Sequence, residues 1–187
     1  MSASVLFQPT AAFEDAFHNE NAKGALMVVL LTGLFTALAV YFISANIFTS
    51  AFTFLMNIIQ WLVFAGFVWF FEFVHVRKKK HLVGVNFSQC LSVVGKLWTI
   101  NLLAAIVFAF TSYFAPIASA GLVMFLGILL VLSSLILIVA WLIASFKMLK
   151  VVFGVERGKL FVSWVLINIL NGLTIGIITT ILTNILF

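Results

Sequence analysis

Charged residues are scarce in this sequence of 187 residues. They make up 8% of the chain, whereas hydrophobic residues make up 65%. A soluble domain carries about 25% charged residues, because most of its surface faces water. The composition therefore excludes an ordinary water-soluble domain. It predicts an all-α integral membrane protein, since apolar segments cross a bilayer as helices that satisfy their own backbone groups.

Residues that carry chemistry are also few. Cys90 is the only cysteine, so an intramolecular disulfide is excluded. The sequence has no Cys/His cluster with zinc-site spacing, no glycine-rich phosphate loop and no HExxH or triad pattern. We therefore expect a protein that is not an enzyme, with no catalytic residue, metal site or cofactor. Its basic residues fill short gaps between apolar runs, which argues against a nucleic-acid partner.

Long apolar runs are what the sequence does contain. A helix needs roughly 20 apolar residues to cross about 30 Å of hydrocarbon. Five runs meet or approach that length, and they predict a five-helix bundle in one membrane domain, residues 25–187. The predicted helices cover residues 25–44, 51–73, 97–114, 119–146 and 160–186.

The basic residues indicate an orientation. They occur before the first run, between the second and third, and between the fourth and fifth, while the other connections carry no charge. Cytoplasmic loops are enriched in Lys and Arg, so we expect a cytoplasmic N-terminus and a C-terminus outside the cell or in a lumen.

Residues 1–24 form a predicted cytoplasmic segment with a short amphipathic helix. Phe13 and Phe17 are four positions apart, and Glu14 and Asp15 lie on other faces. The helix is expected to begin near Thr10 and to lie on the membrane surface.

Helical spacing also precedes the third apolar run. Phe87, Leu91 and Val94 recur at that spacing, and Asn86 or Ser88 is a suitable N-cap. We therefore expect the third helix to begin in the cytoplasmic interface.

The cytoplasmic cations are the first candidate functional group. Anionic headgroups attract each Lys or Arg near the membrane by about 1 kcal/mol. Setting the orientation is the simplest role, and binding of anionic headgroups or docking of a protein partner are the alternatives. The candidate contacts are Arg77, Lys78, Lys79, Lys80, Lys147, Lys150, Arg157 and Lys159.

Amide side chains inside the apolar runs are the second group. Such side chains usually join helices through hydrogen bonds of about 0.6 kcal/mol. The alternative is that they line the path of a small transporter or channel. The amides are Asn57, Gln60, Asn101, Asn168 and Asn171.

Two further features concern packing. Glu72 and Lys96 fall at similar depths near the basic loop and predict a structural ion pair. Gly33-x-x-x-Ala37 and Gly172-x-x-x-Gly176 permit close backbone approach. Packing within the bundle is the favoured role of these motifs, and they also allow a homo-oligomer.

Several short stretches resemble the Yip1 family of five-pass membrane proteins. They are Leu6–Phe13, the polar re-entry Phe87–Val94, and the run Trp141–Lys150 leading to Gly158-Lys159. The resemblance implies five crossings, a cytoplasmic N-terminus and an outer C-terminus. In eukaryotes the family is associated with vesicle trafficking, through contacts with Rab-type GTPases and other family members.

The chain departs from the trafficking members before its first helix, where it lacks their longer cytoplasmic region and its Asp-Leu-Tyr-Gly-Pro motif. It is more similar to the bacterial and archaeal relatives. The resemblance therefore favours a prokaryotic cell membrane over the endoplasmic reticulum or Golgi. For those relatives it implies a fold but no settled activity. The placement of charge leads us to expect a scaffold or interaction protein whose partners are membrane lipids or a membrane or cytoplasmic protein.

Overall fold

The computed structural model describes residues 2–76, 85–117, 119–154 and 157–186, and these are almost entirely helical. Five of the helices in these ranges, α3 to α7, are long and apolar enough to cross a membrane, as predicted. The helices are α1 (Ser2–Phe7), α2 (Pro9–Asn19), α3 (Ala22–Ser44), α4 (Ile47–Val76), α5 (Phe87–Phe114), α6 (Ala120–Phe153) and α7 (Arg157–Leu186).

The membrane helices are longer than the predicted runs, because a helix continues past the point where its sequence becomes polar. The clearest case is α5, which begins at Phe87 instead of residue 97. Asn86 starts it with a capping box: the Asn86 side chain accepts the Gln89 backbone N–H at 3.0 Å, and the Gln89 side chain accepts the Asn86 N–H at 3.0 Å. Of the two candidate caps, Asn86 and Ser88, Asn86 is the one used. Helix α6 is also longer than predicted, because it ends at Phe153 instead of residue 146.

Consecutive membrane helices run antiparallel. Ala45 and Asn46 alone connect α3 to α4, and Ala45 adopts a left-handed conformation with φ of 51°. Each helix from α3 to α6 contacts its successor in the chain. The alternation brings the starts of α3, α5 and α7 together with the ends of α4 and α6. We call this the basic end, because all ten Lys and Arg belong to these helix ends or to their connections.

The centre of the core is α5, which packs against α3, α4, α6 and the short α1 and α2. Its most extensive contact is with α3. The two backbones approach closely at Gly95, where an added Cβ would overlap the Cβ of Ala25. Val94, Leu97 and Trp98 on the same helix are fully or almost fully buried.

The N-terminal helix α2 packs against the protein, a contact that the sequence analysis did not anticipate; its position at the membrane surface stays a prediction. It begins at Pro9 and buries Phe13, which is 0% exposed, among residues of α5 and α6. The Ser92 hydroxyl donates to the carbonyl of Ala16 at 2.9 Å. Helices α5 and α6 form the docking surface. The 34 residues of α6 span about 51 Å at 1.5 Å per residue, which exceeds the hydrocarbon thickness.

Apolar surface is left open along α6 and α7, as expected for helices that face lipid. The most apolar stretch of each is 6% buried, against 50% in α5. Gly172 and Gly176 have open space around them, so within the described residues they do not serve the packing role favoured by the sequence. Gly33 does serve it, because an added Cβ there would lie 3.0 Å from the ring of Phe54 on α4.

Candidate functional site

Three of the predicted lysines are exposed at the basic end. Lys147 and Lys150 lie in the last turns of α6, and Lys159 lies in the first turn of α7. They form no ion pair with any other described residue, so their charges face solvent or headgroups. Two other parts of the prediction, Arg77 to Lys80 and the side chain of Arg157, lie outside what the structure describes.

The local structure around these lysines has a simple cause. Gly154 adopts a left-handed conformation with φ of 56° and donates its N–H to the Lys150 carbonyl at 3.1 Å, which ends α6. A cation in the last turn of a helix also stabilises the negative end of the helix dipole. Lys150 therefore has a structural contribution that does not depend on any partner.

The predicted amides occupy different environments. Asn57 on α4 accepts a hydrogen bond from the Trp98 indole of α5 at 3.2 Å, which is the helix-joining role expected of it. Asn168 donates to the Trp164 carbonyl of its own helix at 2.7 Å. Asn171 is 9% exposed, and its side-chain oxygen is buried without a partner among the described atoms.

Asn101 lines a groove between α5 and α6. The groove has a volume of about 350 Å³, and Ser134 on α6 faces it together with apolar side chains and Trp141. Gln60 on α4 is half-buried. One amide thus bonds between helices, one bonds within its helix, and Asn101 faces an open groove, so the five do not share one environment.

Two polar contacts between elements were missed by reasoning from sequence. Trp164 of α7 donates to the Ser145 hydroxyl of α6 at 2.9 Å, and Ser92 holds α2 as described above. A tryptophan within an apolar run was the available signal, because a buried indole N–H needs an acceptor. The serines gave no comparable signal, since a hydroxyl inside a helix commonly bonds to its own backbone.

Glu72 is 2% exposed near the end of α4, and its carboxylate accepts the backbone N–H of Val85. Lys96 lies elsewhere, beside α2 and α3. The predicted Glu72–Lys96 ion pair is therefore absent from the contacts that the described residues make. The two residues are at similar depths, but they lie on different helices whose rotation the sequence does not reveal.

Lys96 instead lines a polar crevice between α2, α3 and α5 at the basic end, which we call the Lys96 crevice. Its volume is about 170 Å³. Asp15 lines the same crevice from α2, and it forms no ion pair with Lys96. The full lining is Asp15, Ala16, Asn19, Asn21, Gly24, Ala25, Val28, Ser92, Gly95, Lys96 and Thr99.

Hydrogen bonds fix the polar side chains around this crevice. Asn19 donates its amide to one oxygen of Asp15 at 2.6 Å, and Asn21 accepts the Gly24 N–H at 2.8 Å as the N-cap of α3. The Thr99 hydroxyl donates to the Lys96 carbonyl at 2.8 Å. Sequence analysis identified Lys96 but not Asp15 as its neighbour, because the docking of α2 brings Asp15 there.

Metal-ligating residues do not cluster in the described ranges, where no group of three or more His, Cys, Asp or Glu side chains is present. No protein family model matches this chain, and no curated protein or solved structure is significantly similar to it.

Proposed function

We propose that this protein is a non-enzymatic, Yip1-like membrane scaffold in a prokaryotic cell membrane, and that its basic end contacts anionic headgroups or a partner protein. The observation that carries the proposal is the exposure of Lys147, Lys150 and Lys159 at one end of the bundle, with no ion pair to a described residue. In the sequence, Arg77–Lys80 directly follows α4 and adds four positive charges.

The docked N-terminus supports a role in interaction. While α2 buries Phe13, it leaves Glu14 and Asp15 exposed beside the lysine-bearing helix ends. A surface of mixed charge selects a partner through complementary charges, and it disfavours partners of the wrong charge pattern. The lysines nearest the membrane each gain about 1 kcal/mol from anionic lipid.

The test is affinity purification from native membranes in mild detergent, with mass spectrometry of the proteins and lipids that are retained. We expect a reproducible protein partner, or enrichment of anionic lipid, that is lost when Arg77, Lys78, Lys79 and Lys80 are all replaced by Gln. The matched control exchanges Lys and Arg at the same four positions and so preserves the charge. If the neutral variant inserts correctly and retains the same lipids and proteins, the proposal is wrong.

A small transporter or channel is the second candidate. Asn101 and Ser134 face an open groove near the middle of their helices, and Asn171 has a buried oxygen without a partner. Polar groups inside the membrane are costly, so unsatisfied ones often mark a pathway. Purified protein in liposomes tests this directly. Solute or ion flux that Asn171→Leu abolishes supports a transporter, whereas vesicles that stay tight to every probe oppose it.

A further inference from the structure

The Lys96 crevice contains two opposite charges that do not neutralise each other. Lys96 of α5 and Asp15 of α2 both line it, yet the structure holds no ion pair between them. The Asn19 amide occupies one oxygen of Asp15, which leaves the other carboxylate oxygen and the Asn19 side-chain oxygen as acceptors. The crevice thus offers a cation on one wall and a set of acceptors on another.

The first turn of α3 adds to the positive side. Asn21 and Gly24 line the crevice, and the N-terminus of a helix carries partial positive charge that favours anions. A ligand that satisfies both sides needs an anionic group near Lys96 and a cationic group near Asp15.

The level of the crevice indicates where such a ligand comes from. Its walls include Ala25 and Val28 in the first two turns of α3, whose apolar span begins at Ala22, and Lys96 and Thr99 of α5, next to Gly95, which meets Ala25. It therefore opens where the apolar span of α3 begins, which is the level of phospholipid headgroups. Leu26 and Met27, exposed on the same turn of α3, provide apolar surface for acyl chains.

We propose that the Lys96 crevice binds the phosphoethanolamine headgroup of a membrane phospholipid, with the phosphate at Lys96 and the ammonium at Asp15 and Asn19. The ammonium has three N–H donors for the acceptors on α2, whereas a choline headgroup has none. A purely anionic headgroup satisfies Lys96 but leaves Asp15 facing negative charge. This site depends on Asp15 and Lys96 and not on Arg77 to Lys80, so it stands or fails independently of the proposed scaffold role.

The experiment uses the purified full-length protein in nanodiscs that contain equal amounts of phosphatidylethanolamine, phosphatidylcholine and phosphatidylglycerol with matched acyl chains. Native mass spectrometry then measures which lipid remains bound. We expect one phosphatidylethanolamine to be retained in preference to the other two. Lys96→Gln and Asp15→Asn each lower its occupancy roughly tenfold, the effect of losing about 1.4 kcal/mol.

Two matched controls are present in the chain. Lys23→Gln and Glu14→Gln make the same charge changes at exposed neighbouring positions that do not line the crevice, and both leave the occupancy unchanged. Lys96→Arg retains the lipid, which separates loss of charge from loss of fold. Thermal melting of each variant in the same nanodiscs confirms folding.

Three outcomes overturn the proposal. If the control variants lose as much bound phosphatidylethanolamine, the effect comes from overall charge and not from the crevice. If phosphatidylcholine is retained as well as phosphatidylethanolamine, the N–H donors of the ammonium group have no role in binding. Free phosphoethanolamine that displaces the lipid at equal concentration shows that the ligand is a soluble zwitterion and not a phospholipid.

Discussion

The glycines differ sharply in how much space surrounds them. We predict that Gly95→Ala lowers the free energy of unfolding by about 2 kcal/mol, because the new methyl group would overlap Ala25 at the crossing of α3 and α5. Thermal unfolding in detergent, followed by circular dichroism, measures the change. Gly176→Ala is the matched control, since its surroundings are open and alanine favours a helix. Equal melting temperatures for the two variants would contradict the packing argument.

The indole N–H groups also differ in their partners. Trp98 donates to Asn57, whereas the buried Nε1 of Trp61 has no partner among the described atoms. We predict a coupling energy of about 0.6 kcal/mol between Trp98→Phe and Asn57→Leu in a double-mutant cycle. Unfolding of both single variants and the double variant in bicelles measures it. The control cycle, Trp61→Phe with Asn57→Leu, should give coupling near zero, and a similar value in both cycles would contradict the bond.

At the residue scale, the sequence shows that a polar side chain needs a hydrogen-bond partner, but it does not show which residue that partner is. An amide in hydrocarbon requires a hydrogen bond, so the helix-joining role of Asn57 was predictable. That Trp98 is the donor depends on how α4 is rotated against α5, which no local pattern encodes. The glycines show the same limit, because the close crossing uses Gly95, outside any GxxxG motif, while Gly172 and Gly176 remain open.

The docking of α2 can be tested at the scale of an element. Phe13 of α2 is fully buried, so Phe13→Ala should weaken the docking of α2 by about 3 kcal/mol through the cavity left behind. We expect faster hydrogen exchange across Pro9–Asn19 in that variant, with protection of α5 retained. The control is Phe7→Ala, because Phe7 is 82% exposed. Unchanged exchange in the Phe13 variant would show that α2 is held by other contacts.

The sequence determines which segments form helices more fully than it determines where those helices pack. Long apolar runs determined the five membrane helices, and the candidate caps Asn86 and Ser88 placed the start of α5 within two residues. The position of α2 was not predictable in the same way. One apolar face suits a membrane surface and a protein surface equally, and the surface that receives Phe13 is created only where α5 and α6 pack together.

The whole molecule divides into a packed end and an open end. The cluster of buried hydrophobic residues joins α1 and α2 to the start of α5 and the end of α6 and extends to α3, α4 and α7; it includes Phe13, Cys90, Val93, Met148 and Phe153. Toward the other end, α6 and α7 present apolar side chains outward. The packed end is also the basic end, so the part of the molecule that is best supported by internal contacts carries the proposed interaction surfaces.

Orientation in the membrane provides the prediction for the whole molecule. The positive-inside rule predicts a cytoplasmic basic end. Cys90 is fully buried, so the wild-type protein should react little with a membrane-impermeant maleimide. We therefore expect Asn46→Cys, in the exposed turn between α3 and α4, to label in intact bacterial cells. Lys23→Cys, at the exposed start of α3, should label only after the cells are permeabilised.

The opposite labelling pattern would have specific consequences. If Lys23→Cys reacts in intact cells, the basic end faces outward, and a cytoplasmic partner is excluded. The Lys96 crevice would then face the outer leaflet, and the phosphoethanolamine lipid would have to come from that leaflet. The expected pattern instead places the exposed lysines against the anionic inner surface, where each gains about 1 kcal/mol. The labelling experiment therefore decides which lipids both proposals are tested against.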